Sequence, residues 1–308
     1  MASQTPWVRV VIVNYNADKW LQATIDGLAR QTFAEFEAVI VDNASTDGSI
    51  AGLRLPDSRF RLLKAGANIG FAAGCNLGTK GAHTPWLAML NPDAVPNSDW
   101  LERLRAATET HRDAVAFGTT QLMAEDERLL DGGGDNYSIF GIAWRGGFGA
   151  PLPQIQQDID VFSPCAAAAL YRTDVYAAVD GFAETFFCFL EDVDLGFRLR
   201  LQGGRIVQVA DAKVVHAGSA IAGRRSAFTI FHSTRNGVYM LMRCMPTPLL
   251  LLALPLFLAA QAWLMARTPN RWARLKGLVW GLLGLARARL WKDRKRILEQ
   301  RRISLGVL

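Results

Sequence analysis

Val8-Arg9-Val10-Val11-Ile12-Val13-Asn14-Tyr15-Asn16 reads as a strand that stops on polar residues, since Val8–Val13 is β-branched at every position but Arg9. A continuous apolar run of this length, closed by turn formers, is what a strand covered on both faces needs. Downstream, Trp20, Leu21, Ile25 and Leu28 recur at helical spacing, so Trp20–Ala29 is expected to be helical. The alternation continues. Ala38–Val41, Phe60–Leu63 and Trp86–Leu90 are further apolar runs, and Gly48–Leu53, Gly70–Lys80 and Asp99–Thr110 carry helical patterns. Strand and helix in turn predict an α/β sandwich around a mostly parallel sheet. Ligands of such sheets bind beyond the carboxyl ends of the strands. Asn14-Tyr15-Asn16, Asp42-Asn43-Ala44-Ser45-Thr46-Asp47 and Asn91-Pro92-Asp93 stand at three of those ends, so their side chains are expected to converge.

The second half is less regular. Residues 119–160 are rich in Gly, Pro and Asp (Asp131-Gly132-Gly133-Gly134, Pro151, Pro153) and predict an irregular excursion, with the core resuming at Ser163–Tyr171. Phe186-Phe187-Cys188-Phe189-Leu190 then leads into Glu191-Asp192-Val193-Asp194, a short helix to Gln202, a strand near Ile206–Val209, and Val214-Val215-His216. Gly66, Gly70, Gly74 and Gly78 recur at every fourth position. No Lys-Ser/Thr follows them, so they read as a helix packed tightly on the sheet and not as a phosphate-binding loop.

A chain of 308 residues suits about two domains, and with half its residues hydrophobic and 20% charged it is not a disordered chain. The net charge of +6 is unevenly placed: residues 267–308 hold twelve basic residues against Asp293 and Glu299, a net +10, leaving −4 for residues 1–266. That distribution argues against a nucleic-acid-binding body and for a tail that meets an anionic membrane surface. Cys75, Cys165, Cys188 and Cys244 are far apart, which suggests neither a zinc ribbon nor a disulfide framework, and a reducing, cytoplasmic setting is expected. Met1–Trp7 leaves no room for the apolar region of a signal peptide. Cys244–Ala266 is 23 residues without a charge, beyond the ~18 that raise the question of a membrane span. Pro246, Pro248 and Pro255 interrupt it, and one crossing would put the basic tail on the far side, against the positive-inside tendency. An in-plane or re-entrant helix is therefore expected, with Arg271–Arg302 as its basic amphipathic companion; the rival reading packs the apolar helix on the catalytic body. The domain expectation is a catalytic unit over residues 1–240, divided near 118/119, followed by membrane-associating helices over 241–308, and deleting 246–308 is expected to leave a soluble protein that still binds nucleotide.

Val10–Asn16 (VVIVNYN), Val41–Ser49 (VDNASTDGS), Asn68–Gly78 (NIGFAAGCNLG), Leu90–Ala94 (LNPDA) and Phe186–Arg200 (FFCFLEDVDLGFRLR) resemble, in that order, the family-2 glycosyltransferases of the GT-A fold. The likeness covers about residues 7–240 and is strongest to the bacterial rhamnosyltransferase-like branch that acts on lipid-linked or cell-wall saccharides. It implies an inverting transfer from a nucleotide-diphospho-sugar, dTDP-L-rhamnose first, to a saccharide or polyprenyl-diphosphate-linked acceptor at the cytoplasmic membrane face. It implies donor contacts at Asn14, Asn16, Asp42, Asn68, Gly70, Asn91 and Arg235, a Mg²⁺ or Mn²⁺ ion at Asp93 and His216, and a general base at Asp192, with Glu191 next.

The residues themselves allow other roles. The Asp42–Asp47 stretch is also turn chemistry. Asn91 departs from the family's acidic pattern and leaves Asp93 as the lone carboxylate of its triplet. Crowded acids at a helix start suit the helix dipole, and they also raise one another's pKa, which a general base needs. Asp194 is expected to cap that helix. His216 is equally suited to a structural role, and Arg224 and Arg225 to solvation or to phosphates. A nucleotidyltransferase, a transferase using UDP-hexose or UDP-N-acetylhexosamine, and a non-catalytic membrane scaffold are the rival functions.

Overall fold

The computed structural model describes residues 6–153, 157–218, 226–267 and 270–306; Arg224 and Arg225 lie outside them. In chain order the elements begin β1 (Val8–Asn14), α1 (Lys19–Ala29), β2 (Phe36–Asp42), β3 (Phe60–Lys64), α2 (Gly70–Thr79), β4 (Trp86–Leu90), β5 (Ala94–Pro96) and α3 (Trp100–Thr110). They continue with β6 (Ala114–Met123), β7 (Asp126–Gly132), β8 (Asp135–Tyr137), β9 (Ala143–Arg145), β10 (Ile159–Asp160), β11 (Ala168–Arg172) and α4 (Thr173–Ala178). The last are α5 (Glu191–Leu201), β12 (Arg205–His216), α6 (Ala227–Cys244), α7 (Thr247–Arg267), α8 (Arg271–Gly284) and α9 (Ala288–Glu299).

The main sheet runs β10-β12-β6-β11-β4-β1-β2-β3, with β5 paired to β12 and β7 to β6. Strands β12, β6, β4, β1, β2 and β3 point the same way, and β11 lies antiparallel between β4 and β6. The sheet is therefore mixed and mostly parallel, as expected. Its central strand explains the opening motif: Val8, Val10 and Ile12 enter one core cluster while Val11 and Val13 enter another, so both faces want apolar side chains. Helices α1 and α3 cover the first face through Leu21, Ile25, Leu28, Trp100 and Leu104, and α2 and α5 cover the second through Ala72, Cys75, Leu195 and Leu199. The one polar residue of the run, Arg9, is buried but satisfied, with Nε on Glu37 at 2.6 Å and Nη1 on the Lys80 carbonyl at 2.9 Å. Gly74 and Gly78 pack α2 against β1 so closely that a Cβ would strike Val13 and Val11, while Gly66 lies outside the helix.

Three expectations change. Gly48–Leu53 forms turns, not a helix: Gly48 sits at φ 86°, outside the helical region, and Gly52 is a second poor helix former. Residues 119–160 are not an irregular excursion: β6 continues to Met123, β7 returns antiparallel to it, and β8 and β9 pair as a hairpin. The two short strands expected after residue 204 are one strand, β12, with a register irregularity between Val209 and Lys213. The boundary expected at 240 falls inside α6 and that at 118/119 inside β6. A third core cluster, including Phe186, Phe197, Tyr239, Phe257 and Ile297, packs α6, α7 and α9 onto α5.

Candidate active site

A cavity of about 730 Å³ opens at the carboxyl ends of the central strands. Asn91, Pro92 and Asp93 after β4 line one wall, with His216 at the end of β12. Register brings the last two together: His216 pairs with Ala94 of β5, one residue after Asp93. His216 Nε2 lies 3.3 Å from Asp93 Oδ1 and 3.5 Å from Asn91 Nδ2, and its Nδ1 lies 2.8 Å from Asp131 Oδ2. Both histidine nitrogens are thus spoken for by carboxylates. Burial pulls the imidazole pKa down, but the bonds to Asp131 and Asp93 more than offset it, leaving it raised.

This pair fits a divalent cation. Asp131 can hold the proton-bearing Nδ1 and so leave Nε2 bare beside the Asp93 oxygen, the outer-shell arrangement that orients metal-binding histidines. A carboxylate oxygen and an imidazole nitrogen leave further positions of a six-coordinate ion for phosphate oxygens and water. A second grouping, Asp135, Cys165 and Asp192, has its polar atoms within 4.8 Å of one another. It suits a hard cation poorly: burial pushes the Cys165 thiol up to about 12, and Arg145 Nη2 already sits 2.9 Å from its sulfur.

The opposite wall is the start of α5. Phe187, Phe189 and Leu190 all have positive φ (66°, 68° and 64°), a strained approach for side-chain-bearing residues. Helix α6 holds that loop. Asn236 Nδ2 donates to the carbonyls of Phe186, Cys188 and Phe189 at 3.0, 2.8 and 2.8 Å, and Arg235 Nη2 donates to Phe186 at 2.7 Å. The loop delivers Glu191 and Asp192 to the cavity. Asp192 accepts backbone N–H bonds from Ala166 at 3.0 Å and Val193 at 2.8 Å. Burial raises its pKa, while those bonds and Arg145 hold the rise back. Glu191 is raised well above the carboxylate range by burial and then by the Asp192 charge, and its Oε2 has no partner. Asp135 is raised to about 7 by burial and by Asp192, with Arg145 opposing. Of the three, Asp192 has the donors to carry a negative charge.

The structure therefore brings Asp192, Glu191, Asp93, His216, Asn91, Asn68 and Gly70 to one cavity. It keeps four expected donor-binding residues off the lining. Asn14 donates to Ser45 and Ser49, Asn16 accepts from the Thr46 N–H, and Asp42 accepts from the Ser45 N–H, so these residues tie one loop together. Their neighbours Val13, Tyr15 and Asn43 form the cavity wall there. Arg235 is turned to the α5 loop and to the Phe231 and Tyr239 rings. Asp194 does not cap α5: it is fully buried and bonded to Arg198 and Arg243. Sequence reading missed Asp131, Asp135, Trp144, Arg145 and Asn236. Asp131-Gly132-Gly133-Gly134 was the only signal for the first two, and Asn236 carried none beyond its place beside Arg235.

The chain matches the model of glycosyl transferase family 2 over residues 9–179. It is 28% identical over 243 residues to the N-acetylglucosaminyl-diphospho-decaprenol L-rhamnosyltransferase of Mycobacterium tuberculosis, covering 71% of this chain and 78% of that protein. It is 28% identical over 228 residues to the O-antigen biosynthesis protein RfbC of Myxococcus xanthus, covering 70% of this chain but only 18% of that longer protein. The solved mannosyltransferase PcManGT from Pyrobaculum calidifontis aligns with a TM-score of 0.57 at 18% identity, over 97% of this chain and 86% of that one. With the GT-A arrangement of the sheet and a family match over more than half of its length, this chain belongs to glycosyl transferase family 2.

Proposed function

We propose that this glycosyltransferase moves a sugar, L-rhamnose from dTDP-L-rhamnose first, with inversion onto a polyprenyl-diphosphate-linked or other saccharide acceptor in cell-surface polysaccharide or cell-wall synthesis. The observation that carries this reading is the shared cavity, with Asp93 and His216 on one wall and Asp192 on the other. The name of the mycobacterial relative supports rhamnose and a lipid-linked acceptor, and with such an acceptor the enzyme would work at the cytoplasmic face of the membrane. The Pyrobaculum mannosyltransferase, in complex with GDP-Man and Mn²⁺, supports a divalent ion.

In this reading Asp93 and His216 would hold Mg²⁺ or Mn²⁺, which when bound would supply positive charge against the diphosphate leaving group. Asn91 and Asn68 offer neutral hydrogen-bonding groups toward the donor. Asp192 takes the proton of the acceptor hydroxyl as that oxygen attacks the anomeric carbon from the side opposite the diphosphate. Burial and the Asp192 charge raise the Glu191 pKa, which favours its neutral form and lessens the negative charge facing the diphosphate.

Thermal unfolding against a panel of nucleotide sugars, with and without Mn²⁺, tests the reading. Ligands that bind the folded form raise the Tm. dTDP-L-rhamnose with Mn²⁺ is expected to give the largest rise, and Asp93→Ala to remove most of the metal-dependent part. A larger rise with UDP-hexose or UDP-N-acetylhexosamine would reassign the donor. Release of pyrophosphate from a nucleoside triphosphate would make the chain a nucleotidyltransferase instead.

A further inference from the structure

Helices α7 and α8 turn an apolar surface outward. On α7 the buried positions Leu250, Ala253, Phe257 and Gln261 fall three or four residues apart, one stripe on one face. Every exposed position between Leu251 and Ala266 is apolar, with Leu251 at 74% and Trp263 at 55% exposure. Helix α8 repeats the arrangement. Gly277, Gly281 and Gly284 sit against α6 with no room for a Cβ beside Phe231, Val238 and Tyr239, while Trp272, Trp280 and Leu283 face out. A helix on a water-facing body carries polar residues on its outer side; an apolar outer side this wide requires an apolar medium.

The buried stripe also sets the posture. From Leu250 to Gln261, about 16 Å of helix, α7 is held along the protein and does not project from it. Exposed Arg267, Arg271, Lys276, Arg287, Arg289 and Lys292 accompany the exposed tryptophans, and the Arg267 guanidinium lies 4.7 Å from the Trp263 ring centre. Tryptophan with arginine and lysine at the rim of an apolar face is the chemistry of an anionic membrane interface.

The same helices pack on elements that line the cavity. Phe257 of α7 packs on Gly141 of the β8–β9 hairpin, whose Trp144 and Arg145 line the cavity. Gly277 of α8 packs on α6 beside Phe231, in the segment whose Phe228 and Ser233 also line it. Trp144 and Phe228 are themselves about half exposed.

We propose that α7 and α8 form a platform lying in the plane of an anionic bilayer, without crossing it, and that the cavity mouth, rimmed by Trp144 and Phe228, meets the lipid surface beside them. This surface gives the lipid-linked acceptor of the preceding section its way in, and docking is measurable apart from transfer. Flotation of the full chain with phosphatidylcholine vesicles containing phosphatidylglycerol, without donor or acceptor, reads it directly. The chain is expected to float with these vesicles, and less so with pure phosphatidylcholine or in high salt. Leu252→Asp and Trp280→Asp, both at exposed positions, are expected to weaken partition by about tenfold or more while the Tm holds. A fluorophore on Leu258→Cys is expected to be quenched more by shallow than by deep nitroxide lipids. Deepest quenching at the bilayer centre would make α7 a span and overturn the in-plane platform. Failure to float, with Leu252→Asp or Trp280→Asp converting a dimer to a monomer, would assign the surface to a second copy. Transfer to a soluble acceptor analogue surviving either outcome would leave the glycosyltransferase reading intact, and floating without any transfer would leave the platform intact.

Discussion

Asp192 and Asp135 form a pair whose charges oppose each other, with Arg145 between the α5 start and the Asp131–His216 bond. A general base must be ionised, so activity falls as pH drops through its pKa. Arg145→Gln removes a cation that favours ionised Asp192, so the acid limb of the kcat/KM profile is expected to move to higher pH. An acid limb that stayed in place or moved to lower pH would contradict this placement. Asn236 acts on the loop and not on the reaction. Asn236→Ala takes the side-chain donor from the Cys188 and Phe189 carbonyls, while Phe186 keeps Arg235, and is expected to cost about 2–4 kcal/mol in chemical denaturation and to lower kcat more than it raises KM. Glu191 and Asp192 were legible because acids following an apolar run stand out. Asp135 and Arg145 were not, because the strand pairing that carries them to the site joins residues with no local pattern.

Among the elements, the α5–α6 contact is fixed by Asp194, whose carboxylate bonds Arg198 Nε at 2.8 Å and also meets Arg243. Burial works to raise the Asp194 pKa, and Arg243 and Arg198 bring it below the ordinary carboxylate value. A lowered folded pKa contributes stability that is complete above the unfolded value and is lost as pH falls through the folded one. Asp194→Asn removes the charge shared by two buried arginines, leaving Arg243 with Asp293 and Arg198 with the Val179 carbonyl, and is expected to cost about 3–5 kcal/mol at neutral pH and to flatten the acid limb of stability. On the same face of the sheet, Gly78→Ala puts a methyl group into Val11, with an expected cost of about 1–3 kcal/mol. The strands and helices up to α3 were readable from their own apolar runs and periods, except the three-residue β5, which was not expected, and Gly48–Leu53, expected as a helix. The β8–β9 hairpin hid in a Gly-rich stretch, since three-residue strands have no period to show.

At the scale of the whole molecule, the strand order β6-β11-β4 was beyond the sequence, because an antiparallel strand inserted between parallel ones depends on contacts across the chain. The sequence predicts a separable tail, yet α9 packs into the body. Arg294 Nη1 donates to the Met242 and Met245 carbonyls, capping α6, and Leu290 and Ile297 enter the third core cluster. Deleting residues 246–308 is therefore expected to lower the Tm and expose the α6 core, read by increased binding of a hydrophobic dye, not to release an intact soluble enzyme. A deletion that kept the full-length Tm would show the tail to be an independent appendage.

One measurement bears on the whole account: sugar transfer and donor affinity determined side by side for Asp192→Asn. An amide keeps the shape of the cavity wall but cannot accept the acceptor proton. The account predicts transfer reduced by at least about a hundredfold, the lower end of what a positioned base contributes, with donor affinity in the presence of Mn²⁺ unchanged. Transfer at the parent rate would contradict it.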